Sequence, residues 1–207
     1  MKIMKLLGLC MVGAIVAVAF VGASSASATV LCKENKSPCG SAWPEETTIV
    51  AESANAVLLG SLAVECKSSV TVLAEKNDAG EVLGKITSLT WSNCKGCSKV
   101  TTTKLPTGSL KATGSGNGTL LTTSETEVVL EGCTIFNIKC TAKASDASLK
   151  FNGGAIGTAN AVASEVPVTL SGGACGTSGK WDAGSTGSSP YVVKSVNGLT
   201  TGSIFVI

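Results

Sequence analysis

The chain of 207 residues has no histidine, and its 16 basic residues are all lysine. The missing imidazole excludes Ser-His-Asp and Cys-His nucleophilic catalysis. It also removes the commonest metal ligand and the side chain that titrates near neutrality. The missing guanidinium removes the planar fork that grips phosphate and carboxylate. Aromatics are 4% of the residues, proline occurs 5 times, and charged residues are only 14%. No stretch carries the apolar stripe and charged faces of an amphipathic helix.

What is present begins with an export pattern. Met1-Lys2-Ile3-Met4-Lys5 is a short basic start, and an uncharged apolar run follows from Leu6 to Val21. Small residues come next and end in Ala26-Ser27-Ala28, the A-x-A form read by a signal peptidase. We expect residues 1–28 to be a cleaved signal peptide and 29–207 to form a single domain. An uncleaved anchor would need a charged stop after the run, and a lipoprotein would need a small residue before Cys10, where Leu9 stands. The expected location is therefore secreted or cell-envelope, with no permanent membrane anchor. Removing Lys2 and Lys5 leaves 14 lysines against 14 acidic residues, a net charge of zero. That balance argues against a nucleic-acid partner, which needs a basic surface.

Cleavage also removes Cys10 and leaves Cys32, Cys39, Cys66, Cys94, Cys97, Cys133, Cys140 and Cys175. An even number in an oxidising compartment predicts four disulfides. Two pairings are open. In one, three units close on themselves as Cys66–Cys94, Cys97–Cys133 and Cys140–Cys175, with Cys32–Cys39 clipping a loop. In the other, the short loops Cys94–Cys97 and Cys133–Cys140 close and Cys66 joins Cys175. The unit scheme has support in pattern. Each unit holds a central G-x-x-x-G at Gly80/Gly84, Gly114/Gly118 or Gly153/Gly157. Ser109-Leu110-Lys111 to Gly118-Thr119 matches Ser148-Leu149-Lys150 to Gly157-Thr158 without a gap. Each unit reads as a hairpin with its glycines at the turn.

Thr- and Val-rich runs broken by Gly and Asn predict strands. They include Thr47–Ser53, Val57–Cys66, Ser69–Ala74, Glu81–Trp91 and the alternating runs around Glu125–Glu131 and Ala161–Leu170. Gly172–Ser189 reads as a loop around Cys175 and Trp181. Tyr191–Ser195 and Ser203–Ile207 read as a hairpin across Asn197-Gly198. The expected fold is all-β: a disulfide-stapled antiparallel β-sandwich with three hairpin-like units.

Few motifs carry chemistry. Cys94-Lys95-Gly96-Cys97 has the C-x-x-C form, but no helix follows and no second C-x-x-C exists, so redox and zinc roles are not expected. Glu45-Glu46 and the Glu125/Glu127/Glu131 set are the only carboxylate clusters, and the latter alternates like a solvated strand face. Trp43 and Trp181 sit in loop-like segments and are the candidate binding aromatics, because indole rings stack on sugars and other flat ligands. Asn35-Lys36-Ser37 and Asn117-Gly118-Thr119 fit the glycosylation pattern and read as turns.

The phrases Val64-Glu65-Cys66-Lys67-Ser68-Ser69, Ile86 to Cys94, Lys104-Leu105-Pro106 and Tyr191-Val192-Val193 carry a resemblance. The chain resembles a group of uncharacterised cysteine-rich secreted β-proteins that occur as many divergent copies in soil actinobacteria. The resemblance implies export and a cysteine-stapled β fold, and no functional residue. The functional expectation is a non-catalytic secreted or envelope-associated protein, structural or binding, without cofactor or metal. Its expected partner is a glycan or cell-envelope component. The alternatives are a histidine-free hydrolase using a carboxylate pair and a protease inhibitor presenting the loop Lys33–Pro38.

Overall fold

The computed structural model describes residues 29–207 apart from Ala79, residues 134–136, Gly173 and Thr186. The expected signal peptide, its cut after Ala28 and Cys10 lie outside the described residues. The described residues form strands and no helix. In order these are β1 (Leu31–Cys32), β2 (Thr47–Leu59), β3 (Ala63–Asp78), β4 (Glu81–Lys95) and β5 (Cys97–Lys104). Next come β6 (Thr107–Gly114), β7 (Asn117–Thr122), β8 (Thr126–Cys133), β9 (Ile138–Ala144) and β10 (Ser148–Asn152). The last are β11 (Gly154–Ala155), β12 (Asn160–Ser171), β13 (Ser178–Ala183), β14 (Tyr191–Val196) and β15 (Ser203–Val206).

The three cysteine-bounded units are three long antiparallel hairpins. In the first, β3 and β4 pair almost end to end, closing at Asp78 and Glu81. In the second, β5 and β6 lead out while β7 and β8 return; β6 pairs with β7 near the tip and β5 with β8 at the base. In the third, β9 and β10 lead out and β12 returns along both. Disulfides join the bases as Cys66–Cys94, Cys97–Cys133 and Cys140–Cys175, and Cys32–Cys39 clips the N-terminal loop. This is the unit pairing; Cys94 and Cys97 each bond elsewhere.

The gapless match between units two and three has a structural counterpart. Ser109, Leu110 and Lys111 on β6 pair with Leu121, Leu120 and Thr119 on β7. Ser148, Leu149 and Lys150 on β10 pair with the same three residues from the other side. Matching positions therefore stand at one height on both edges of β7. The glycines are not equivalent. Gly114 and Gly157 each have φ of 98°, the expected turn role. Gly153 instead supplies room, since a Cβ there would lie 2.7 Å from the Phe205 ring.

The expected sandwich is not what forms: the sheet closes into a barrel. β10 is bonded on both edges, to β7 and to β12. The path β10-β7-β6-β4-β3-β2-β13-β12 returns to β10 as a barrel of eight strands. Strands β2, β3, β4 and β12 run its length. Between β2 and β12, β13 fills the half near the hairpin bases and β14 the half near the tips. Register shifts at Ser53/Ala56, Thr71/Val72 and Ala163/Val166 bend the long strands toward closure. Alternation in sequence marks which face of a strand is buried. It does not say whether that face meets a second sheet or curls on itself, because closure rests on distant pairs such as Ala51 with Val193 and Leu58 with Trp181.

Two local expectations also change. The segment read as a loop, Gly172–Ser189, contains β13. The Asn197-Gly198 turn is present, with φ of 49° and 76°, but its flanking strands part. β14 pairs with β2 and β12, while β15 joins β1 and β11 in a small separate sheet. That sheet plugs the tip end of the barrel. Leu31, Trp43, Ile204 and Val206 are buried there against Ala74, Val82, Leu110 and Phe151. Asn77 ties the plug down: its side-chain oxygen accepts from the Leu31 N–H at 2.6 Å, and its amide donates to the Leu31 and Trp43 carbonyls.

Candidate functional site

The interior positions of the barrel are small or aliphatic, and they do not fill it. On β3 the inward residues are Val64, Cys66, Ser68, Val70, Val72 and Ala74. Outward neighbours include Glu65, Lys67 and Glu75. Eight strands enclose an interior just wide enough for side chains or one small ligand. Here alanines, at Ala51, Ala56, Ala142, Ala144, Ala147 and Ala161, take many of the wall positions. A cavity of about 190 Å³ results. Its presence explains why inward-facing Val70, Val72, Leu89, Val100 and Val128 are only half-buried. Among the described residues no charged side chain lines it, and Thr122 and Thr126 are the only aliphatic hydroxyl residues that do.

The cavity touches all three core clusters, which follow one another along the barrel. Ala74 and Leu110 belong to the plug-end cluster, Tyr191 and Leu149 to the middle one, and Val64 and Leu130 to the disulfide-end one. It is therefore an axial space, not a gap between one pair of strands.

Four aromatic residues stand in the wall, Trp91, Phe151, Trp181 and Tyr191. Trp181 on β13 faces Tyr191 on β14, with ring centroids 6.1 Å apart and a tilt of 60°. Ser68 Oγ donates to the Tyr191 hydroxyl. Burial pushes the Tyr191 pKa up to about 12, against the opposing effect of that hydrogen bond. The phenol stays neutral, and its polar end is already occupied. The Trp181 indole N–H is buried without an acceptor, and nothing in the structure explains it.

Trp91 marks a seam. Beyond the end of β6, no backbone ladder joins β4 to β5. A side chain takes the ladder's place: the Trp91 indole N–H donates to Thr102 Oγ1 at 2.9 Å, and that hydroxyl donates to the Leu89 carbonyl at 2.8 Å.

The two expected binding aromatics part company. Trp181 lines the cavity. Trp43 is 5% exposed in the plug. Its N–H donates to the Ser203 carbonyl at 3.2 Å, and Lys33 Nζ lies 4.8 Å from its ring centre. The eight cysteines are all in disulfides. The loop Lys33–Pro38 is exposed.

The carboxylates of Glu125, Glu127 and Glu131 lie on the outer face and are paired with lysine. Lys104 and Lys143 bridge Glu125 and Glu127, and Lys99 and Lys139 flank Glu131. A hydrogen bond from Thr103, then one from Lys143, holds Glu127 down to about 2. Glu45 and Glu46 are exposed. One acid that the sequence did not single out, Asp182, is buried. Burial works against its charge, but the hydroxyls of Ser185 and Ser188 and backbone N–H groups hold its pKa below the ordinary value. Those partners make it the clasp of the turn after β13.

The wall residues were visible in sequence only as alternation. Nothing local separates an inward Val70 that meets a partner sheet from one that meets empty space. No family model matches the chain, and neither a curated protein nor a solved structure matches it.

Proposed function

We propose that this is a non-catalytic, exported binding protein that holds an apolar small molecule inside its barrel. One observation carries the reading: a barrel of eight strands surrounds an axial cavity of about 190 Å³ with no charged residue in its wall. An apolar cavity of that order stays dry, and a hydrocarbon ligand gains roughly 25 cal/mol for each Å² it buries. Polarity runs opposite to that of a membrane-spanning barrel, whose outside is apolar and whose lumen is polar. Here the lysine–glutamate pairs decorate the outside. The disulfides accord with an oxidising, extracytoplasmic site of action. A glycan or envelope partner would meet this outer face instead of the cavity. Against the hydrolase alternative stands the pairing of Glu125, Glu127 and Glu131 with lysines on the open face.

The test uses the exported protein recovered from medium or envelope. We expect its N-terminus to be Thr29. We expect native mass spectrometry to show a bound hydrophobic molecule, or an added apolar dye to bind with a change in Trp fluorescence. Glycans and wall fractions should not displace that dye. Absence of any apolar binding would reject the reading, and turnover of a glycan would favour the hydrolase alternative in its place.

A further inference from the structure

We infer that the ligand is an extended, uncharged, unbranched hydrocarbon chain lying along the barrel axis. The inference rests on the binding role proposed above and concerns the shape and charge of what is bound. Val64 and Ala74 on β3 both line the cavity, close to its opposite ends. At about 3.3 Å per residue and a strand tilt of about 40°, they stand roughly 25 Å apart along the axis. A volume of about 190 Å³ gathered in one place would hold a compact ring. Drawn out over that length it holds a single file of methylenes and no fused ring system. At about 1.25 Å per methylene, the axial length caps an extended chain at roughly twenty carbons.

Charge is decided by the wall. A carboxylate or ammonium inside would be buried without a partner, because no charged side chain reaches the cavity. The Tyr191 hydroxyl is engaged by Ser68, and Thr102 at the seam is engaged by Trp91 and Leu89. A terminal alcohol, ester or plain methyl fits this interior, and an ionised head does not. Tip-end access is blocked by Trp43 and Ile204 in the plug.

The experiment compares four probes on the full exported protein at neutral pH: 1-dodecanol, dodecanoate, 1-octanol and 1-adamantanol. Affinity is read by calorimetry and Trp fluorescence. The expected result is that dodecanol binds at least tenfold more tightly than dodecanoate and adamantanol, with octanol weaker than dodecanol. A Val70→Phe variant places a ring near the middle of the channel, where Val70 packs against the middle core cluster, and should reduce dodecanol affinity at least tenfold. Val100→Phe repeats the block at a second height, should Val70→Phe fail to fold. Equal or tighter binding of adamantanol or dodecanoate overturns the inference while leaving the apolar binding role standing. Failure of all four probes to bind overturns both.

Discussion

The two ends of the barrel share β2, β3, β4 and β12 but are held by different means. At the base end three disulfides join distant strands, and five of their six cysteines are at most 5% exposed in the local core cluster. At the tip end the single disulfide, Cys32–Cys39, spans a separation of 7 and ties only a loop. Closure there is by packing, with Trp43, Leu31, Ile204 and Val206 as plug and Asn77 as tether. Aromatic scarcity explains the split. The described core has few large side chains, so one end spends a tryptophan on a plug and the other relies on covalent staples. A seam between β4 and β5 is tolerable at the stapled end because Cys66–Cys94 and Cys97–Cys133 hold both flanks.

Reduction should expose the comparison most strongly. The three base-end bridges have sequence separations of 28, 36 and 35. By loop closure each constrains the unfolded chain by about 3.5–4 kcal/mol, an upper figure where native strain intervenes. We expect Cys140→Ser with Cys175→Ser to lower Tm by roughly 10 °C. Full reduction should abolish hydrogen-exchange protection at Val100 and Val168 before it does so at Val193 and Val206. Uniform loss of protection would show that the ends are one cooperative unit.

Next in size is the plug. Trp43→Ala should cost about 3–5 kcal/mol, read by denaturant unfolding with disulfides intact. It should open the tip end to dye without loosening the base. A smaller effect is expected at the seam. Thr102→Val leaves the Trp91 N–H without its acceptor and should cost about 1–3 kcal/mol, with a shift in Trp emission.

The smallest effect is electrostatic. Glu127 is held down to about 2 in the folded chain, while an unfolded glutamate titrates near 4.3. Its contribution is present above the unfolded value and is lost as pH falls through about 2. Acid titration should therefore show a shallow decline below about pH 4.5, weaker in Glu127→Gln. Because the group is exposed, added salt should flatten the same decline.

Much of the architecture was legible. Spacing of the cysteines favoured hairpin units because a hairpin brings its ends together, and the disulfides join those ends. The match at Ser109-Leu110-Lys111 and Ser148-Leu149-Lys150 marked equivalent heights on β7. The cavity was not legible. Alternation at Val70 and Val72 shows a buried side, yet the same pattern serves a sandwich core. Trp43 and Trp181 looked alike in sequence, both flanked by small and polar residues, and only folding sent one into the plug and the other into the wall.

The sequence by itself determined the all-β character, most of the strands, the bases of the hairpins and the chemistry that is missing, since each depends on local residue type or on absence; it missed β13 and the turn between β2 and β3. Tertiary structure alone decided that the sheet closes, that alanines take wall positions of the interior, and that an apolar space is left. Those outcomes depend on pairings more than a hundred residues apart, such as Ala51 with Val193, and on the summed volume of side chains from every strand.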